Sequence, residues 1–347
     1  MKFRCATLFS LLALSLTLGA CNDHSGNPNA GVANAAILDR PPYRTLTDSI
    51  AKAESNDGKD SATLASLHFR RAELLARNNQ HEAAVQDYRR SWELNAQEMT
   101  GLRYAATLTI IGQPREAARL LNDAHHRFPE NTAFTNMLAD LYQQAGLFAE
   151  ALEIYDEMLK KDSADFEAWY EKGLILEKAK DTTAAIAALA KAHQLQPTST
   201  YALELAHLYA ETRNPKALTL ADEVLSRDLM HEQVDPLFIK GIYYANTGQP
   251  RLAIVQFDSC IGRDWKFTDA YLEKGIVLFH QHKYPEALGI FQMTIKVSNT
   301  YPDGYYWIGR CHEAMGNKDQ AIVFYQRALG LDKDFSEAAE GIKRLHP

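Results

Sequence analysis

The side chains that could do chemistry in this 347-residue chain are twelve histidines, four cysteines and 44 carboxylates, so their spacing decides what they can do. A helix-borne zinc site needs two histidines at i and i+4, on one face of one helix. His125 and His126 are adjacent and point to different faces, and His280 and His282 are two apart, split across a helix or into a turn. The carboxylate pairs Glu171/Glu177 and Glu204/Glu211 read as ordinary helix surface, with nothing marking either member as an acid tuned for proton transfer. No phosphate-cradling glycine loop, no Gly-x-Ser-x-Gly elbow and no His-Glu-x-x-His motif occurs. The sequence therefore predicts no enzyme, no cofactor, no metal site and no small-molecule substrate.

One thiol stands apart from this. Lys2 and Arg4 make a basic start, and Leu8 to Leu18 is apolar and uncharged. That run is shorter than the ~20 apolar residues that span a bilayer, but it has the length of a signal-peptide core. It ends in Leu18-Gly19-Ala20-Cys21. This resembles the lipobox of bacterial lipoproteins. The resemblance implies that residues 1–20 are a signal peptide cut before Cys21, that Cys21 carries diacylglycerol, and that the new N-terminus is acylated, palmitate being the usual chain. Cys5 precedes the apolar run and cannot serve. Stable anchoring takes more than one acyl chain, which this modification supplies. Asn22, rather than Asp, after the cysteine favours the outer membrane over the inner.

The chain has a formal charge of -7, and removing residues 1–20 takes away Lys2, Arg4 and no acid, leaving -9. Nucleic-acid binding needs a basic face, so an acidic body argues against that partner class. It equally argues against adhesion of the body to anionic lipid, which leaves membrane attachment to the acyl chains.

Residues 21–42 are rich in Asn, Gly, Ala and Pro and read as a flexible tether, about 25 Å long on average for some 20 residues of coil. Residues 43–60 hold a capping helix, with Leu46, Ile50 and Ala51 on one face. From 65 to 335 the chain repeats with a period near 34. A column of small residues runs Ala72, Ala105, Ala139, Gly173, Ala206, Gly241, Gly275, Gly309. A second runs Ala84, Ala117, Ala151, Ala185, Ala217, Ala253, Ala287, Ala321. Four residues beyond it stand Tyr88, Leu121, Tyr155, Leu189, Phe257, Phe291 and Tyr325, and only Ala221 breaks that third column. Residues 336–347 read as a C-terminal capping helix with Ser336 as N-cap.

Small residues at fixed points of two antiparallel helices let the helices approach, and the large residue fills the space between them. Gly112, Gly146, Gly248 and Gly316 fall between the first two columns, where a left-handed residue can end a helix, and Pro129 and Pro197 follow second helices. The columns resemble the tetratricopeptide repeat family. Residues 166–199 carry Trp169, Gly173, Ala185, Leu189, Ala192 and Pro197 at that family's register, and residues 302–335 match through Tyr305, Gly309, Gly316, Ala321, Tyr325 and Ala328. The resemblance implies an all-α fold, a right-handed α-solenoid of about eight helix-turn-helix repeats. The unit 199–233 is the weakest, with a short turn near Asn214-Pro215. In this register Cys260 and Cys311 lie two hairpins apart, too far for a disulfide, and read as buried free thiols.

In this family the first helices line a concave face that receives extended or helical segments of partner proteins. The corresponding positions are Tyr170, Glu171, Glu177, Glu204, His207 and Glu211 in the middle of the array. Toward its C-terminal end they are Phe238, Ile242, Leu272, Ile276, Phe279, Tyr306, Trp307 and Arg310. The expectation is an acidic middle beside an apolar, aromatic end, with aromatics and Arg as interface anchors. Family members that clamp a C-terminal carboxylate use Lys, Arg and Asn, and the matching positions here are Phe69, Glu73, Arg103 and Ala133. The reading is a lipid-anchored scaffold or adaptor binding protein at the bacterial cell envelope, its body in the periplasm or at the cell surface. The rivals are a periplasmic chaperone-like peptide binder, with many substoichiometric clients, and a glycan-binding or enzymatic lipoprotein, which would need a pocket of converging polar groups.

Overall fold

The computed structural model describes residues 37–55 and 60–345; Cys21, the signal-like segment and most of the presumptive tether lie outside them. Among the described residues there are eighteen helices and no strand. Helix α1 is Arg44–Ser55. Eight hairpins follow: α2 (Ser61–Arg77) with α3 (His81–Leu94), α4 (Glu98–Ile110) with α5 (Pro114–Arg127), α6 (Thr132–Gln144) with α7 (Phe148–Lys161), and α8 (Phe166–Lys178) with α9 (Thr182–Leu195). Then come α10 (Ser199–Glu211) with α11 (Lys216–Arg227), α12 (Asp235–Asn246) with α13 (Pro250–Arg263), α14 (Thr268–His280) with α15 (Tyr284–Val297), and α16 (Pro302–Ala314) with α17 (Lys318–Leu331). Helix α18 is Ser336–Leu345. The chain divides into two compact units, one up to residue 154 and one from 155.

Every hairpin turns in the same way. In the second, Gly112 N–H donates to the Thr109 carbonyl at 3.1 Å and Gln113 N–H to the Leu108 carbonyl at 2.8 Å, the paired bonds of a Schellman cap. Gly112, Gly146, Gly248 and Gly316 supply the left-handed residue in four hairpins. Asn79, Lys180, Arg213 and His282 supply it in the other four, at φ between 58° and 66°. An L-residue there costs about 1 kcal/mol, a cost the two backbone bonds and the packed hairpin offset.

The three sequence columns interlock. A Cβ at Gly173, Gly241, Gly275 or Gly309 would lie 2.3–2.7 Å from the side chain of Leu189, Phe257, Phe291 or Tyr325 respectively. At these four glycines the third column's large side chain, from the second helix of the same hairpin, occupies the place a Cβ would take. Ala221, which lacks that large side chain, is completely buried in a hairpin whose second helix has 12 residues, two fewer than α9 or α13.

Both ends are tied down by side chains. In the first unit Arg71 donates to Asp87 through Nε at 2.6 Å and Nη2 at 2.7 Å, and through Nη1 to Thr47 Oγ1 at 3.0 Å. His68 Nδ1 lies 2.8 Å from the same carboxylate. This buried network joins α1 to the first hairpin. At the other end Phe335 and Ala338 are buried and pack with Tyr325. Ser336 is the first residue of α18 rather than its cap: its hydroxyl bonds Glu337, and the Phe335 carbonyl takes the first helical bonds, from Ala338 and Ala339.

Candidate partner groove

The first helices of the second unit gather a run of carboxylates in partly buried positions. On α8, Tyr170 packs its ring 4.6 Å from Tyr201 of α10, and burial with Glu204 and Glu171 nearby pushes its hydroxyl up to about 12. Glu177 is held above the usual carboxylate range by burial, against His207 and with Glu211 beside it. Glu204 is raised by burial, then by Glu177 and Asp235. Glu211 and Asp235 are raised by burial. Burial holds the His207 imidazole below its ordinary value although Glu177 and Glu204 favour its charge. Glu177 and Glu204 are thus not the ordinary helix surface that their spacing suggests: both give up water, and Glu177 acts on Glu204 across α8 and α10.

The run continues through four residues that the sequence reading passed over: Asp235, Asp269, Glu273 and Asp303. The three aspartates stand 34 residues apart, each in the first turn of its helix, where the dipole favours an acid. Asp269 is raised by burial and accepts from the Tyr301 hydroxyl at 2.6 Å. Glu273 is 7 % exposed, and burial with Asp269, Asp303 and Glu211 beside it pushes its carboxyl up to about 8. The 34-residue spacing of the aspartates was legible in the sequence; the burial of Glu273 was not.

The expected aromatic end is rearranged. Phe238, Ile242, Leu272, Ile276 and Phe279 are buried, so these five are core rather than open groove surface. Phe238, for instance, meets Phe257 at 5.8 Å and Phe267 at 5.3 Å. Apolar side chains at these positions pack inward, because that removes more of their surface from water than an open face would. Tyr306, Trp307 and Arg310 remain half-buried. Arg310 places its guanidinium 5.3–5.8 Å from the rings of Phe279, Trp307 and Tyr306 and donates to the Tyr306 hydroxyl at 2.9 Å. Its charge and its donor are already engaged within the unit.

The remaining chemistry-bearing residues are quiet. Cys260 and Cys311 are free and buried, their thiols pushed up to about 12 by burial. Among the described residues no group of three His, Cys, Asp or Glu could hold a metal ion. In the first unit a cavity of about 290 Å³ is lined by Glu73, Arg77, His81, Tyr88 and Arg103 among others. There Glu73 accepts from Tyr88 at 2.5 Å and pairs with Arg103 at 3.5 Å.

Comparison with known proteins bears directly on this geometry. Models of the tetratricopeptide repeat match residues 111–165, 136–200 and 302–335. The chain carries tetratricopeptide repeats. A tetratricopeptide repeat protein from Parabacteroides merdae superposes with a TM-score of 0.62 at 16 % identity, over 72 % of this chain and 98 % of that one. PilW, a widely conserved type IV pilus biogenesis factor, superposes with a TM-score of 0.51 at 17 % identity, over 62 % of this chain and 98 % of its own. At these identities the likeness is one of fold. Among curated sequences, human DnaJ homolog subfamily C member 7 is 28 % identical over 81 residues, 23 % of this chain. A TPR repeat-containing protein of Treponema pallidum is 26 % identical over 130 residues, 31 % of this chain. The chain spans 16 % of the length of each of these relatives. The all-helical repeat fold is therefore the one this chain shares with the two solved structures.

Proposed function

We propose that this tetratricopeptide-repeat protein is a lipid-anchored scaffold that holds a partner protein in the groove of its second unit at the bacterial cell envelope. The observation that carries the groove half is the run of partly buried carboxylates on successive first helices, which gives the array a surface of defined chemistry. The anchor half is supported by Leu18-Gly19-Ala20-Cys21 after an apolar run, with Asn22 favouring the outer membrane. No described helix is long and apolar enough to cross a membrane, and in this reading Cys21 makes the attachment.

Crosslinking and pull-down from native membranes tests the groove half. A scaffold yields one stoichiometric partner, lost when Glu204 and Glu211 are changed to Lys without loss of helicity; many substoichiometric clients would replace the scaffold by the chaperone-like reading. Fractionation tests the anchor: Cys21→Ala should leave the protein released from membranes or unprocessed, and a variant that fractionates and migrates like the parent removes the anchor from the proposal.

A further inference from the structure

When this chain buries a carboxylate for its own stability, it provides the counter-charge. Asp87, 4 % exposed, has both arms of Arg71 and the His68 ring. Glu273 is 7 % exposed and makes no hydrogen bond or ion pair with any described residue. Its oxygens are not sealed off from water, so unlike its apolar neighbours Leu272 and Ile276 it keeps a polar group within reach of solvent. The charged groups that act on it are Asp269 of its own helix, Asp303 of α16 and Glu211 of α10, all acids. The neutral Tyr301 hydroxyl also lies within electrostatic reach but donates to Asp269. A buried carboxyl in such surroundings keeps its proton or meets a cation from outside.

Three of the lysines on these helices are turned elsewhere. Lys274, one residue from Glu273, reaches back to Asp258 of α13 at 2.6 Å. Lys240 of α12 reaches Asp222 of α11 at 2.6 Å, and Lys172 of α8 pairs with Asp156 of α7. In all three the lysine of a first helix bonds the aspartate of the preceding second helix. The repeat thus spends its lysines on holding one hairpin to the next, and none of these three is available to Glu273.

We infer that the groove of the second unit takes a lysine- or arginine-bearing segment of a partner protein, one of whose cationic side chains is received by Glu273 between Asp269, Asp303 and Glu211. The inference rests on the groove reading above and adds to it the chemistry of the partner. It is the reverse of a carboxylate clamp: the charge supplied by the groove is negative. A segment rather than a lone metal ion is favoured because these acids come from three helices without converging on one point. The acidity of the surface selects against nucleic acid and anionic lipid as the source of contact. A cation that displaces the Glu273 proton links binding to pH, so affinity rises as the solution becomes more basic.

The test is fluorescence anisotropy of a labelled, end-blocked peptide of alternating Lys and Ala, titrated with the full chain in detergent. An alternating Glu and Ala peptide and calcium chloride serve as comparison ligands. The cationic peptide should bind, weaken about tenfold or more in Glu273→Gln, and weaken again in raised salt. Asp319→Asn, an exposed acid of α17, should leave binding unchanged. Circular dichroism of each variant confirms that it is folded, and Asp303→Asn gives a second route should Glu273→Gln fail to fold. Binding that ignores both substitutions, equal binding of the acidic peptide, or uptake of calcium alone overturns the inference. Should the native partner be lost on Glu204→Lys and Glu211→Lys while no cationic peptide binds, the groove reading stands and the inference falls; should its capture ignore those reversals, the groove reading falls first.

Discussion

Two buried acids, one in each unit, are held under opposite rules. In the first, Asp87 sits in a closed network of Arg71, His68 and, through Arg71, Thr47. In the second, Glu273 sits among Asp269, Asp303 and Glu211 with no cation of its own. Both are carboxylates on amphipathic helices of the same kind of hairpin, and both are almost out of water. The difference teaches that burial alone does not say what an acid is for. A buried pair is a fastening, and removing one partner leaves the other charge stranded. An acid buried among acids stores an unfavourable charge that a proton or a ligand relieves.

The largest expected effect is on the fastening. Asp87→Ala leaves Arg71 buried without its carboxylate and should lower the stability of the first unit by about 3–5 kcal/mol, read as an earlier urea transition by circular dichroism. Replacing Arg71 by Met and Asp87 by Leu together should recover much of that loss, since no charge is then stranded. If Asp87→Ala costs nothing, the contrast between the units collapses.

A smaller effect of opposite sign is expected at Glu273. Its carboxyl is raised from an ordinary 4.5 to about 8, so between those values the folded state holds a proton that the unfolded state has lost. The contribution of Glu273 to stability is therefore fully present below pH 4.5 and is lost as pH rises through 8. Asp235, Asp269, Glu177, Glu204 and Glu211 are raised too and contribute in the same direction. Glu273→Gln should flatten much of this slope and stabilise the protein by about 1–3 kcal/mol at pH 9, measured as Tm against pH. A variant whose Tm falls with pH as steeply as the parent's would show that Glu273 does not carry the slope.

The smallest effect sharpens the account of the lysines. Asp258→Asn removes the partner of Lys274 at a half-exposed pair and should change stability by less than about 1 kcal/mol. It also frees an ammonium one residue from Glu273, so the same variant should bind the cationic peptide more weakly than the parent. Unchanged peptide affinity would mean that Lys274 cannot reach the groove even when released.

The sequence by itself determined the repeat. Small and large residues recur at 34-residue intervals because each hairpin meets its neighbours through the same contacts, and the glycine turns are legible because a left-handed residue favours glycine. Four turns escaped that rule: Asn79 and His282 take up the left-handed conformation more readily than most residues, while at Lys180 and Arg213 the tertiary packing and two backbone bonds impose it. The acidic character of the groove was visible in Glu171, Glu177, Glu204 and Glu211. Which apolar positions were surface and which core was not, because Phe238, Ile242, Leu272, Ile276 and Phe279 share the helical face of groove residues and are buried by neighbouring helices. Glu273 shows the same limit most sharply. In the chain it is one glutamate among many on an amphipathic helix, at the same register position as half-buried Glu171. Only the tertiary packing removes its water and brings Asp303 and Glu211 within electrostatic reach of it, since electrostatic surroundings are set by distance in space and not by distance along the chain.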